Sequence, residues 1–397
     1  MTASAVTPSS DRRPSVTTAE IVRRATGLIP VLRERAAACE ALRRVPDPTR
    51  DDFVAAGITR IAQPVGRGGL GLDMDSVYEV AMELGRGCGS SAWMGSFWPL
   101  HNWMVGMWPK AAQDDYWATS PDTLSSTAWD LVSCKIEPAR DGIRLSGHWD
   151  FSSGIDHADW AMLFVPGPPV GLALVPRADL RIVDTWHATG LCGSGSNDVF
   201  VDDALVPEHR ILNMEAAGSG HSDGRELHGT PFYKLPLYTW LTYSLAAPVI
   251  GMAQGAVDSF EELMRGRVEG IGGGRAAERP ANHLRLAESS AEVDAARVLM
   301  RRNLRQLIEW GQAGVEMSVD ERLRIRRDIT FGGMICNRAA RRLFDAAGAH
   351  AIKRSAPLQR FTRDADAAVH SGVLTWDPTG EQYGRVRLGL APTSFFY

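Results

Sequence analysis

Four short stretches hold residues that could do chemistry. RDADAAVHSG, Arg363 to Gly372, carries one histidine, His370, with no acid after Asp366. HWDFSSGIDHADW sets Ser152 and Ser153 against Gly154. TWHATGLCGSGSNDVFVDDALVPEHR sets Ser194 and Ser196 among glycines, with Trp186 a few residues before. FWPLHNWM surrounds His101 with Trp98, Trp103 and Met104. Small hydroxyl residues beside glycines suit a planar ligand with polar edges: hydroxyls and amides bond the rim while apolar walls take the faces. A histidine, with a pKa of roughly 6.5, can donate to an oxygen or move a proton near neutral pH. Taken singly, each stretch also reads as an ordinary turn, helix end or core segment.

These residues need elements to hold them. Residues 17–44 carry a helical repeat (Ile21, Ala25, Leu28, Leu32, Ala36) behind a capping box, Thr17-x-x-Glu20. A shorter helix follows near Asp51 to Ala56, then two between 74 and 108, and one over 111–117. From Thr123 to about Pro207 the texture turns to short β-like runs, with a turn at Arg140-Asp141-Gly142. Helices return after 229: Phe232 to Val268 as one segment, a break at GIGGG (270–274), then Asn282 to Trp310, Val319 to Ala349 and a last helix containing Arg363. The expected fold is α+β: a disordered lead-in (1–16), an N-terminal helical domain (17–120), a middle β-barrel or sandwich-like domain (121–228) and a C-terminal four-helix bundle (229–397). Long helices of this kind often build an oligomer interface.

Composition narrows the classes. The net charge of −4, with acids and bases mixed, offers no nucleic-acid surface. No apolar run is long enough for a membrane span and no h-region opens the chain, so a cytoplasmic location is expected. Five dispersed cysteines without a CxxC pair fit reduced thiols. No histidine or cysteine spacing offers a metal site. GRGGLG, Gly66 to Gly71, matches GxGxxG but lacks the βαβ context that would make it a dinucleotide site. Ser194 and Ser196 lack the strand-to-helix elbow of a hydrolase.

Together the motifs resemble the acyl-CoA dehydrogenase fold, and more closely its flavin-dependent monooxygenase branch, the oxygenase components of two-component aromatic hydroxylases. The resemblance rests on G-x-W-x-F-x-S-G at Gly147 to Gly154, W-x-x-x-G-x-x-G-[ST]-G-S-x-D at Trp186 to Asp198 running on to Val206-Pro207, and L-Q-R-x-x-R-D from Leu358 followed by a histidine. It implies a homotetramer fed with reduced flavin by a separate NAD(P)H-dependent reductase, using O2 through a flavin hydroperoxide to oxygenate a small aromatic or polycyclic molecule. Ser153 would hold the flavin N5 edge, His370 support the oxygen adduct, and His101 orient or deprotonate the substrate. Ser152, Trp186, Ser194, Ser196, Ser126 and Thr127 would bind the cofactor, and Trp98, Met104 and Trp129 the substrate.

The dehydrogenases of this fold remove a proton α to a thioester, which needs a positioned base. An ungapped count from Arg363-Asp364 puts that glutamate's place at Gly372, and Pro231 to Val257 holds no acid before Asp258. Dehydrogenation with an unrecognised base, nitrogen or sulfur oxidation, and a silent flavin-binding protein stay as alternatives. The FAD-binding pattern of the dehydrogenases is also broken: GIGGGRAAERPANH has no Phe-Gly, and Asp345 stands where they carry a glutamine. A carboxylate there would repel a pyrophosphate, so FMNH2 is favoured over FADH2.

Overall fold

The computed structural model describes residues 16–268 and 274–393. All but the last residue of the expected lead-in, and of the GIGGG break, lie outside the described residues.

The first unit holds α1 (Thr18–Leu42), α2 (Asp47–Ala56), α3 (Met74–Gly85), α4 (Gly89–Val105) and α5 (Lys110–Tyr116). Thr17 caps α1 by accepting from the Glu20 amide at 3.2 Å. The reciprocal half of the capping box is replaced, because the Glu20 carboxylate turns to Arg24 at 2.8 Å. Helix α4 is apolar nearly all round and is buried along almost its whole length, which makes it the centre of the unit.

The middle unit is a two-sheet sandwich. Its strands are β1 (Ser125–Ala128), β2 (Asp130–Ala139), β3 (Gly142–Ser152), β4 (Trp160–Val165), β5 (Gly171–Pro176), β6 (Leu180–Val183), β7 (Asn197–Pro207) and β8 (Ile211–Asn213). One sheet runs β1-β4-β5-β8, the other β2-β3-β7-β6. The β2–β3 hairpin turns at the expected Arg140–Gly142 corner. Inward-facing Leu145, Trp149, Leu163, Val175 and Val199 fill the space between the sheets, and the Trp149 indole N–H donates to the Phe164 carbonyl at 2.7 Å. Pairing of β3 with β7 slips between Trp149 and Ser152, so that Ser152 ends opposite Asn197. That irregularity brings the FSSG and SGSN segments side by side.

Two short helices, α6 (Met214–Ser219) and α7 (Gly224–His228), lead into the last unit. The expected single segment from Phe232 is instead broken. A 3-10 turn (Pro231–Tyr233) and α8 (Leu237–Leu241) precede α9 (Tyr243–Gly266), because Pro231 and Pro236 lack the N–H that a continuous helix needs. Helices α9, α10 (Pro280–Ala313), α11 (Val319–Ala347) and α12 (Pro357–Val369) pack as a bundle, with α13 (Trp376–Arg387) laid against α11. A complete capping box, Ser318 with Glu321, starts α11. Among the described residues no helix is long and apolar enough to cross a membrane.

Candidate active site

Where the three units meet they enclose a cavity of about 910 Å3. That is toward the upper end of the roughly 300–1,000 Å3 usual for ligand pockets. His101, Thr127, Trp129, Ser153, Trp186, Ser194, Ser196 and His370 all line it. Residues more than 250 positions apart in sequence are thus on one wall system.

The hydroxyls form a chain. Ser153 Oγ lies 2.8 Å from Ser196 Oγ, which lies 2.7 Å from Ser194 Oγ. The Trp93 indole N–H donates to Ser153 Oγ at 3.4 Å. Three hydroxyls bring three protons, and two are used between them. Whichever way the chain runs, one O–H remains to donate to a ligand edge. Behind it, Ser126 Oγ donates to the Ser153 carbonyl at 2.6 Å and lies 2.8 Å from Ser152 Oγ. Ser126 and Ser152 therefore brace the loop and do not line the cavity. Phe151 and Leu191, one in each motif loop, adopt positive φ of 60° and 50°, a conformation that non-glycine residues rarely hold outside special sites.

His101 sits on α4 with both ring nitrogens engaged. Nδ1 is 2.7 Å from the Ser125 carbonyl and so carries the proton. Nε2, 3.0 Å from Thr127 Oγ1, is the acceptor. Burial pushes its pKa down to about 4, so the ring is neutral at physiological pH. With Nε2 already taking the Thr127 hydroxyl proton, the ring fixes Thr127 Oγ1 as an acceptor on the cavity wall and does not itself take a substrate's proton. The same burial makes a stability prediction. Between pH 6.5 and 4 the unfolded chain binds a proton at this position and the folded chain does not. Stability then falls as pH drops through that window, by about 3 kcal/mol from this group. Urea melts at pH 7 and pH 4.5 measure the fall, and His101→Gln should flatten that part of it.

His370 caps the C-terminus of α12 and is exposed. Its Nδ1 donates to the Asp366 carbonyl at 2.7 Å, which leaves Nε2 for a ligand.

Trp98 and Met104, expected on the substrate wall, are in the core instead and do not line the cavity. Trp98 packs edge-on against Phe53 and His157. The reason is helix geometry. Trp93, Phe97 and His101 recur every four residues and share the cavity face of α4, while position 98 is turned off that face and Met104, though on a similar bearing, lies most of a turn beyond His101. That spacing was the unused signal for Trp93 and Phe97. Tyr238, Leu241 and Arg326 also line the cavity, and no motif marked them.

The loop carrying Trp186 to Ser196 is tied down from both sides. Asn197 Oδ1 accepts from the amides of Thr185 and Trp186 at 3.2 and 3.0 Å. From α12, Asp364 accepts from the Leu191 amide at 2.7 Å, and Arg363 donates to the Thr189 carbonyl. Arg360 and Arg363 both pair with Glu40 of α1, at 2.9 and 2.7 Å. Burial pushes the Asp364 carboxyl up to about 7. The L-Q-R-x-x-R-D segment is thus a clamp that holds the loop.

A flavin fits this site on its own terms. The aromatic rings of Trp93, Phe97, Phe151 and Trp186 supply flat apolar walls, and the hydroxyl chain supplies a rim with a spare donor. Asp130 is the only acid on the cavity wall among the described residues. Asp258 is paired with Arg33 and Arg86 at 3.3 and 3.0 Å, so it is no hidden base. The half-buried cluster His148, Asp150 and Asp198 has ligand-like spacing, but it lies off the cavity wall, and His148 is stacked on Phe200 at 4.0 Å.

Comparison with known proteins gives the family. The family model "Acyl-CoA dehydrogenase, C-terminal domain" matches residues 243–374. The chain is 36% identical over 379 residues to the oxygenase subunit HsaA, a flavin-dependent monooxygenase of Rhodococcus jostii, covering 94% of this chain and 99% of that one. The chain belongs to the flavin-dependent monooxygenases. The FADH2-dependent resorcinol hydroxylase oxygenase component of a Rhizobium species is 34% identical, over 94% of this chain and 95% of the relative. The crystal structure of 3-HSA hydroxylase from Rhodococcus sp. RHA1 superposes with a TM-score of 0.90 at 33% identity, covering 95% of this chain and 99% of that one. This monooxygenase is accordingly an oxygenase component of the two-component type, with reduced flavin made elsewhere.

Proposed function

We propose that this monooxygenase receives reduced flavin from a separate NAD(P)H-dependent flavin reductase and hydroxylates a small phenolic molecule, working as a cytoplasmic homotetramer. The observation that carries this reading is the single cavity shared by the Ser153–Ser196–Ser194 chain, His101 and His370. Bound reduced flavin supplies the reaction with O2. The protein's residues do the rest. Ser153 donates to the ring edge. Trp93, Phe97, Phe164 and Leu245 keep water from the reacting atoms. The neutral His101 takes the Thr127 hydroxyl proton at Nε2, so that Thr127 Oγ1 accepts the phenolic O–H and orients the ring. His370 presents Nε2 as a donor or acceptor where oxygen chemistry takes place. The likeness to a resorcinol hydroxylase supports a phenolic substrate. Exposed Leu284 and Val298 on α10 support a subunit interface on that helix.

The test is to mix the protein anaerobically with reduced flavin and a panel of phenols, admit 18O2, and analyse products by mass spectrometry. One 18O atom in a ring-hydroxylated product is expected. Recovery of all consumed oxygen as hydrogen peroxide with every phenol would overturn the reading, and reduction of flavin by an acyl-CoA would replace it with dehydrogenation.

For the flavin, one support of the FMNH2 preference is lost, since Asp345 is paired with Arg341 at 3.1 Å and is not a free repelling charge. The missing Phe-Gly remains. Anaerobic titration decides: tighter binding of FMNH2 upholds the preference, and tighter binding of FADH2 reverses it.

A further inference from the structure

Arg324, Arg326 and Arg327 stand close together on α11 but do not all share a partner. Arg324 and Arg327, with Arg302 from α10, converge on the buried Asp328. Arg326 turns the other way. With Leu323, one turn earlier on the same face, it lines the cavity. Its one hydrogen bond among the described residues runs to the Val373 carbonyl at 3.4 Å, long for such a contact. Among the described residues no carboxylate is within ion-pairing distance of it, and Asp130, the one acid on the wall, is not its partner. Burial pushes the guanidinium below the usual arginine range, yet an arginine stays charged at any working pH. A desolvated cation without a counter-charge is costly to keep, and its planar fork of donors matches a carboxylate. It also belongs to a different wall from the flavin-edge hydroxyls. Those come from the loops of β3 and β7, whereas Arg326 comes from the bundle beside Leu241 and Leu245.

We propose that Arg326 is a specificity-determining residue that binds a carboxylate on the aromatic substrate, so that the preferred substrate class is a phenolic acid. The proposal rests on the monooxygenase reading and narrows it: ring and hydroxyl lie toward His101, and the acid tail toward α11.

Equilibrium dialysis tests it, anaerobically, with and without FMNH2. The probes are 4-hydroxybenzoate, 4-hydroxyphenylacetate and 3-(4-hydroxyphenyl)propanoate, each paired with its neutral amide. For at least one pair the wild type should bind the acid about tenfold or more tighter than the amide, the usual value of a charge-assisted bond. Arg326→Gln should erase that preference and leave amide and FMNH2 binding unchanged, and Arg326→Lys should restore part of it. No acid preference in any pair, or a preference that survives Arg326→Gln, overturns the proposal. Lost FMNH2 affinity with intact acid preference also overturns it and assigns Arg326 to the cofactor phosphate. Because the readout is binding, acid preference without any oxygenated product would sink the monooxygenase reading alone.

Discussion

His370→Ala is expected to leave the fold intact and to divert most of the consumed oxygen into hydrogen peroxide. The first half follows from position. His370 is exposed, and its backbone N–H, which alanine keeps, makes the helix-ending bond to the Ala367 carbonyl at 3.3 Å. Stability should change by no more than about 0.5 kcal/mol. The second half follows from geometry. The Nδ1–H bond to Asp366 fixes the ring and leaves Nε2 on the cavity wall. When the ring carries both protons Nε2 is a fixed donor, and such a donor at a site of developing charge is worth roughly 100-fold or more in rate, whereas simple release of peroxide needs none. The ratio of hydroxylated product to peroxide should therefore fall by about tenfold or more, with His370→Gln in between. Product and peroxide are quantified at equal oxygen uptake. An unchanged ratio would reduce His370 to a helix cap.

Gly190→Ala is expected to be the more damaging change, although residue 190 carries no functional group. A Cβ at this position would lie 2.0 Å from the Arg363 carbonyl oxygen and 2.6 Å from its carbon. Both are backbone atoms of a packed helix and cannot rotate away. The loop and α12 must separate, and the neighbouring clamp, Asp364 on the Leu191 amide at 2.7 Å, opens with them. Overpacking of about 1–3 kcal/mol adds to an unmade buried hydrogen bond of about 1–3 kcal/mol, so a loss of roughly 2–6 kcal/mol is expected. Flavin affinity should fall too, because Trp186, Ser194 and Ser196 ride on the same loop. Urea melts and anaerobic flavin titration measure the two losses. Wild-type stability with weakened flavin binding would show that the loop adapts while its hydroxyls lose register.

Much of the site was legible as local chemistry. Ser153, Ser194 and Ser196 stood out because hydroxyls among glycines are a short-range pattern, and cross-strand pairing of Ser152 with Asn197 then brought the two loops together. His101 and His370 stood out by type. The α4 wall was legible only as a segment: Trp98 is turned off the cavity face and Met104 lies past the last wall residue, and apolar type alone shows neither. The Phe232 segment was overextended because its apolar run outweighed Pro236, whose missing N–H starts a new helix.

The sequence by itself determined the order of helical, β and helical units, the hydroxyl loops, and the lack of an acid at Gly372. Each is a matter of periodicity, turn chemistry or residue type within a few positions. Only the tertiary structure decided that His101 is buried and neutral, that Arg363 and Asp364 act as a loop clamp, and that Arg326 faces the cavity without a carboxylate partner among the described residues. Desolvation and charge pairing depend on neighbours brought from distant parts of the chain, and no local spacing encodes them.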